Sequence, residues 1–73
     1  MSRAHDAPAE PFSRRELLVL QLLAYDVATG QIAAALDLTL EEVETLIARA
    51  TVRLGARDQR EAVARARQRR LIL

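Results

Sequence analysis

The stretch QIAAALDLTLEEV, residues 31–43, decides the fold of this chain. Its apolar residues recur at the spacing of one helix face, at Ile32, Ala33 and Leu36. This spacing predicts a short helix from Thr29 to Leu36. Asp37 follows at a point where the chain must turn sharply, a position where glycine is usual and aspartate is tolerated. The stretch therefore predicts a helix that ends in a tight turn.

A longer helix begins directly after this turn. Thr39 and Glu42 have the spacing of a capping box, in which the hydroxyl and the carboxylate accept hydrogen bonds from backbone N–H groups that lack helical partners. We expect a third helix from Leu40 to Leu54, ended by Gly55. One narrow face of it is apolar and predicted to be buried: Val43, Ile47, Ala50 and Leu54. The opposite face carries Glu41, Thr45, Ala48 and Val52, flanked by Glu44 and Arg49.

A second capping box predicts the start of the first helix. Ser13 and Glu16 have the same spacing as Thr39 and Glu42, and a wide apolar stripe follows as far as Ala24. Such a stripe must be largely buried. We therefore expect the first and third helices to share one core, built from Leu20, Leu23, Val43, Ile47 and Leu54.

A fourth helix is predicted from Gln59 to Arg70. Asp58 and Glu61 form a third capping box in front of it. Its small apolar positions allow another helix to approach closely: Ala62, Val63 and Ala66. Two outcomes are open for the last three residues, 71–73, which are all apolar. They either fold back onto the core or extend an interface.

Length and composition indicate one small all-α domain. The chain has 73 residues, about half of them apolar and very few aromatic. Residues 12–73 are predicted to form the domain. Residues 1–11 contain both prolines and no periodic pattern, so we expect a disordered tail there. No apolar run indicates a signal peptide or a membrane span, so we expect a cytoplasmic protein with no membrane partner.

The sequence shows none of the residue groupings that are typical of catalytic sites. There is no cysteine, and the single histidine, His5, lies in the predicted tail. No glycine-rich phosphate loop and no cluster with metal-ligand spacing is present. We therefore expect no enzymatic activity, no cofactor, no metal and no small-molecule ligand.

Charge is divided unevenly along the chain. Residues 1–48 carry three arginines against eight acidic residues, a net charge of −5, whereas residues 49–73 carry eight arginines against two acidic residues, a net charge of +6. No lysine occurs. Two interpretations are open: two differently solvated faces, or two surfaces with different partners.

The segment from Phe12 to Leu73 resembles the LuxR/GerE type of helix-turn-helix domain. The residues that carry the resemblance are Phe12-Ser13-Arg14-Arg15-Glu16, Val19-Leu20, Leu22-Leu23-Ala24, Gln31-Ile32-Ala33, Leu36, Leu38-Thr39, Val43, Leu54-Gly55-Ala56-Arg57 and Glu61-Ala62-Val63. They keep the family's spacing without a gap. A weaker resemblance to region 4 of bacterial sigma factors lies in Leu46-Ile47-Ala48-Arg49-Ala50. The fourth helix favours the LuxR type.

The resemblance implies a third helix that enters the major groove of DNA and a fourth that often forms a dimer interface. Threonine, valine, lysine and histidine are typical of the family along the third helix, and this chain keeps only the valine, at Val43. Glu42, Glu44 and Leu46 occupy the other three positions, and Ala48 stands where relatives are often basic. Because DNA affinity comes largely from cations that neutralise phosphates, these carboxylates disfavour groove binding.

The acidic third helix predicts a stand-alone transcription regulator that binds a protein. Its partner would be a LuxR-type activator, held by mimicry of that activator's own domain or of its DNA. An apolar stripe of small residues rimmed by charge is common in protein interfaces. The predicted partner-binding face comprises Leu40, Glu41, Glu42, Glu44, Thr45, Ala48, Arg49 and Val52. Leu40 and Leu46 could alternatively complete the domain's own core.

The alternative is a dimeric regulator that binds DNA directly. Its phosphate contacts would come from Arg49, Arg53 and Arg57. A helix-four interface would use Ala62, Val63, Ala66 and Arg70. The sign of the charge along the third helix separates this hypothesis from the first.

Overall fold

A computed structural model of the chain describes residues 12–73. They form four helices: α1 (Arg14–Ala24), α2 (Thr29–Leu36), α3 (Leu40–Arg53) and α4 (Gln59–Gln68). No strand occurs in this part of the chain, and the predicted all-α, four-helix architecture is confirmed. The predicted disordered tail, residues 1–11, lies outside the described residues. α1 and α3 each contact all the other helices, whereas α2 and α4 do not touch.

Two of the three predicted capping boxes are complete. At the start of α1, Ser13 Oγ accepts a hydrogen bond from Glu16 N–H at 3.1 Å, and Glu16 Oε1 accepts one from Ser13 N–H at 2.8 Å. At the start of α3, Thr39 and Glu42 make the same pair of bonds at 3.0 and 2.9 Å. Both helix starts therefore lie where the capping signal predicted them.

The third predicted box, at α4, is wrong in one half. Asp58 is the N-cap, and its Oδ1 accepts a hydrogen bond from Glu61 N–H at 2.9 Å. The Glu61 carboxylate, however, does not return to the Asp58 N–H. It accepts a hydrogen bond from Arg57 N–H at 2.6 Å and lies 3.5 Å from the Arg57 guanidinium. The positive charge of Arg57 draws the carboxylate one residue further back.

A residue with left-handed backbone lies one or two positions beyond the end of each helix. The positive φ values are 65° at Asp26, 60° at Asp37, 67° at Gly55 and 60° at Arg70. At each end the next residue donates its N–H to a carbonyl five residues earlier, as in Val27 to Leu22 and Leu38 to Ala33. The sharp turn predicted at Asp37 and the stop at Gly55 are confirmed.

The predicted ends of the last two helices are slightly too late. α3 ends at Arg53, with Leu54 as its cap, and α4 ends at Gln68, not at Arg70. The backbone is left-handed at Arg70, so Leu71 N–H donates to Ala66 O, five residues earlier, at 2.9 Å. This bond replaces the four-residue spacing of the helix, which therefore does not continue. No glycine marks this stop in the sequence.

The core consists of two adjoining clusters. The α2-side cluster comprises Val19, Leu23, Ile32, Ala33, Val43 and Ile47. The α4-side cluster comprises Leu20, Ala50, Leu54, Ala62, Ala66 and Ile72. All five residues predicted to share one core are buried, but they divide between the two clusters, which Val63 connects by packing against both. Within α1 and within α3, the buried apolar residues therefore divide between the α2-side cluster and the α4-side cluster.

The C-terminal residues fold back onto the domain. Ile72 is buried in the α4-side cluster and Leu71 packs against it, whereas Leu73 is exposed. Leu73 N–H donates to Gln21 Oε1 at 2.9 Å, and Arg67 Nε donates to Leu73 O at 3.0 Å. Of the two predicted outcomes for residues 71–73, folding back holds for Leu71 and Ile72.

Candidate interaction surface

α3 presents an exposed side to solvent along its whole length. The eight residues predicted to bind a partner are all exposed, and we call them the outer face of α3: Leu40, Glu41, Glu42, Glu44, Thr45, Ala48, Arg49 and Val52. Val52 is 78% exposed and Leu40 47% exposed, so two apolar side chains of this face are accessible to solvent. The helix is oriented by Val43, Ile47 and Ala50, which are buried on its opposite side.

The first half of the outer face is acidic. Glu42 is partly committed, because its Oε1 accepts the hydrogen bond from Thr39 N–H. Glu41 and Glu44 are exposed, and their carboxylates have no hydrogen bond or ion pair within residues 12–73. Carboxylates in the first turn of a helix are stabilised by its dipole. The fold therefore tolerates this acidic surface without neutralising it.

The two leucines beside this face have different positions. Leu46 is half-buried and packs against the α2-side cluster. Leu40 remains exposed. The alternative in which both leucines complete the core is therefore wrong for Leu40 and correct for Leu46.

Two of the three arginines proposed as phosphate contacts are engaged within the domain. Arg53 Nη1 lies 3.2 Å from Glu16 Oε1, and its guanidinium lies 5.2 Å from the centre of the Phe12 ring. Arg57 pairs with Glu61. Arg49 is exposed and has no ion pair within residues 12–73. The structure thus leaves Arg49 as the arginine of this set with its charge uncommitted.

The fold alters the titration of Glu61. The hydrogen bond from Arg57 N–H, helped by the guanidinium charges of Arg57 and Arg65, holds the pKa of the Glu61 carboxyl below its usual value. The Arg65 guanidinium lies 3.4 Å from Glu61 Oε2. This cluster links the α3–α4 connection to the first turns of α4.

The proposed helix-four interface is mostly internal. Ala62 and Ala66 are fully buried in the α4-side cluster, so they cannot contact a second protein in this fold. Val63 is half-buried between the two clusters, and Arg70 is exposed but lies beyond the end of α4. The small residues that allow a helix to approach closely are used by the domain itself.

Sequence reasoning missed a second surface, a groove between α1 and α3. Arg14, Arg15 and Leu18 line it from α1, and Leu36 and Leu46 line it from α2 and α3. A sequence signal was present, because Leu18 lies outside the apolar stripe of α1 and follows two adjacent arginines. Only the packing of three helices brings these residues together.

No group of three or more histidine, cysteine or acidic residues among residues 12–73 is arranged to hold a metal ion. No helix in the same range is both long and apolar enough to cross a bilayer.

The chain was compared with known proteins. The family model GerE, described as bacterial regulatory proteins of the luxR family, matches residues 10–66. No match was found among curated proteins or among solved structures. The matched range contains the first three helices and most of α4, including the whole outer face of α3.

Proposed function

Because the chain belongs to the luxR family of bacterial regulatory proteins, it is a LuxR-type transcription regulator, and we propose that it acts by binding a protein. In this proposal the outer face of α3 contacts the partner instead of the major groove of DNA. The family is regulatory and not enzymatic, so the function to be explained is recognition.

The observation that carries the proposal is the unneutralised acidic half of α3. Glu41, Glu42 and Glu44 are all exposed there, and residues 16–48 contain no arginine or lysine. Each carboxylate that approaches a phosphate at surface distance costs about 1 kcal/mol or more. A carboxylate can accept a hydrogen bond from cytosine, but three in four residues make a poor reading surface. A helix of this charge is better suited to a protein.

The middle and end of the outer face support the same proposal. Thr45, Ala48 and Val52 form an exposed strip of small and apolar side chains that is flanked by Glu44 and Arg49. Protein interfaces typically have an apolar centre and a charged rim. DNA has no comparable apolar surface outside the thymine methyl groups. The strip therefore adds a reason for a protein partner that charge alone does not give.

We propose a LuxR-type activator as the partner and the cytoplasm as the place of action. A domain with the same fold can occupy surfaces that such activators use for one another, and an acidic helix can occupy a site that normally holds phosphates. The chain would then act as an antiactivator. Direct DNA binding through Arg49, Arg53 and Arg57 is less favoured, because Glu16 and Glu61 already pair with two of these arginines.

The test is DNA binding by a variant that restores the family's lysine. Glu44→Lys changes the charge of α3 by two units and keeps the Glu42 cap intact. Ala64→Lys/Gln68→Lys makes an equal change on exposed positions of α4 and is the matched control. Binding to labelled duplex DNA is measured by fluorescence anisotropy between about 50 and 200 mM salt, the range in which phosphate contacts weaken steeply.

Wild-type protein is expected to show no sequence-dependent DNA binding. Glu44→Lys is expected to gain salt-sensitive affinity, with a slope increased by about one for each new phosphate contact. The control is expected to gain less. Specific wild-type binding to a palindromic site at about 150 mM salt, lost in a Thr45→Ala variant, would establish the DNA-reading alternative instead.

A further inference from the structure

The groove between α1 and α3 combines an apolar floor with a basic rim. Its floor is formed by one leucine from each of three helices: Leu18, Leu36 and Leu46. Leu18 is 44% exposed although it lies in the middle of α1, a helix that contacts all the others. An apolar side chain left accessible there is a feature that the domain's own packing does not require.

Arginines surround this floor. Arg14 and Arg15 line the groove from the first turn of α1, and Arg49 and Arg53 line it from α3. Arg14, Arg15 and Arg49 have no ion pair within residues 12–73. Among residues 12–73, the one carboxylate in the lining is Glu16, which is buried and already accepts hydrogen bonds from Ser13 N–H and Arg53. The groove is therefore strongly positive and can receive carboxylates.

The positive charge is confined to one end. A second, adjoining groove shares Arg15 and Leu46, but it continues along the start of α3 past Glu41 and Glu42. An occupant that is acidic along its whole length would be repelled there. The complementary ligand is acidic only where it meets Arg14, Arg15 and Arg49.

The apolar floor favours a peptide over a nucleic acid as the ligand of this groove. Phosphates could satisfy the arginines, but the sugar-phosphate backbone would leave the three leucines in contact with water. Burial of apolar area contributes roughly 25 cal/mol per Å², so apolar side chains of a ligand gain affinity on this floor. An amphipathic helix places apolar residues at i, i+3 and i+4 on one side and acidic residues beside them. Both features of the groove are then used.

We propose that the α1–α3 groove binds an acidic amphipathic helix of a partner protein. Apolar side chains of that helix pack on Leu18, Leu36 and Leu46, and its carboxylates pair with Arg14, Arg15 and Arg49. This site is distinct from the outer face of α3, with which it shares Arg49 alone. The inference does not rest on the proposed function, because the groove can be occupied whether α3 contacts a protein or DNA.

The probe is a fluorescein-labelled 16-residue peptide with leucines on one helical face and glutamates beside them in one half. A scrambled peptide of identical composition, without an amphipathic face, is the reference. Binding to the full chain is measured by fluorescence anisotropy, and circular dichroism confirms that every variant is folded. We expect the ordered peptide to bind at least about tenfold more tightly than the scrambled one, since burial of one or two leucines is worth that factor.

Two pairs of variants isolate the floor and the rim. Leu18→Ser removes an apolar side chain from the floor, and Leu40→Ser removes an equally exposed leucine outside the groove. Arg14→Glu/Arg15→Glu reverses charge on the rim, and Arg60→Glu/Arg69→Glu makes the same change elsewhere. Glutamates in the first turn of α1 are favourable to the helix, so the rim variant is expected to fold.

Leu18→Ser and Arg14→Glu/Arg15→Glu are each expected to weaken peptide binding by about tenfold, and their controls by less than about twofold. Equal losses in the controls, equal binding of the scrambled peptide, or no binding at 1 mM protein, on the order of the weakest measurable affinity, would overturn the proposal. A 20-base-pair duplex (roughly two helical turns) that displaces the peptide, with affinity sensitive to the arginines but not to Leu18, would assign the groove to nucleic acid.

Discussion

α1 and α3 begin with the same local motif, yet the fold uses the two motifs differently. Ser13 and Glu16 in α1 correspond to Thr39 and Glu42 in α3, and both pairs make reciprocal capping bonds of nearly equal length. Glu16 is only 6% exposed and pairs with Arg53 across the α1–α3 contact, whereas Glu42 is exposed. One carboxylate joins two helices, and the other contributes to an outward-facing surface.

The difference follows from the positions of the two helix starts. The first turn of α1 faces the last turn of α3, so a carboxylate there meets Arg53, whose guanidinium also lies over the Phe12 ring. The first turn of α3 follows the turn at Asp37 and faces solvent. A motif that specifies where a helix begins therefore says nothing about whether its acidic residue is structural or available for recognition.

The largest difference in the stability cost of a substitution is expected at the position seven residues after the N-cap of α1 and of α3. Leu20 is fully buried there in α1, and Leu46 is half-buried in α3. Leu20→Ala should cost about 2–5 kcal/mol of unfolding free energy, because it leaves a cavity in the core. Leu46→Ala should cost about 1 kcal/mol, because less area is lost from contact. Urea unfolding followed by circular dichroism measures both, and equal losses would contradict the packing described.

Removal of the two capping carboxylates should give a smaller difference in the free energy of unfolding. Glu16→Ala removes a cap bond and the bond to Arg53, and we expect a loss of about 2–3 kcal/mol. Glu42→Ala removes only its cap bond, and about 1 kcal/mol or less is expected. Thermal and urea unfolding of the two variants give the comparison directly.

A double-mutant cycle separates the contribution of the ion pair. The coupling between Glu16→Gln and Arg53→Met should be about 0.5–1 kcal/mol, a modest value because Arg53 is partly solvated. If the coupling is zero, the greater cost of Glu16→Ala must come from burial alone, and the contrast between the two motifs loses its ion-pair explanation.

Substitutions just after α1 and just after α3 are expected to change stability in opposite directions. Gly55 after α3 and Asp26 after α1 both have left-handed backbone. Gly55→Ala has open space around the new methyl group and should cost about 1 kcal/mol from backbone strain alone. Asp26→Gly should raise stability by a few tenths of a kcal/mol, because aspartate tolerates this conformation better than most residues. A loss of stability in Asp26→Gly would mean that the aspartate side chain, not the backbone, is important there.

The smallest effect is expected at Glu61, the residue that follows the cap of α4 at the same spacing. Its pKa is lowered in the folded state, so its ionised form stabilises the fold above the pKa of the unfolded chain. This stability is lost as pH falls through the lower, folded-state pKa. Glu61→Gln should therefore reduce the melting temperature slightly at pH 7, and the difference from wild type should disappear on acidification. A difference that is independent of pH would point to shape and not charge.

Local sequence determined where the helices of this protein begin and which faces they bury. The caps at Ser13, Thr39 and Asp58 and the turn at Asp37 depend on contacts within a few residues, so spacing alone identifies them. The buried face of α3 follows from the 3.6-residue period. The exposure of the acidic positions on its opposite face follows from the same period, and so the outer face of α3 was accessible to prediction.

Tertiary structure alone decided what each charged or small side chain contacts. Glu16 and Arg53, which pair with each other, are 37 residues apart in sequence. The floor of the α1–α3 groove is formed by single leucines from three helices. Ala62 and Ala66 have the composition of an interface between proteins, but α4 uses them against the domain's own core. The reason is physical: capping bonds and helical periodicity act over one or two turns, whereas partner choice depends on how whole helices pack, which no short stretch of sequence encodes.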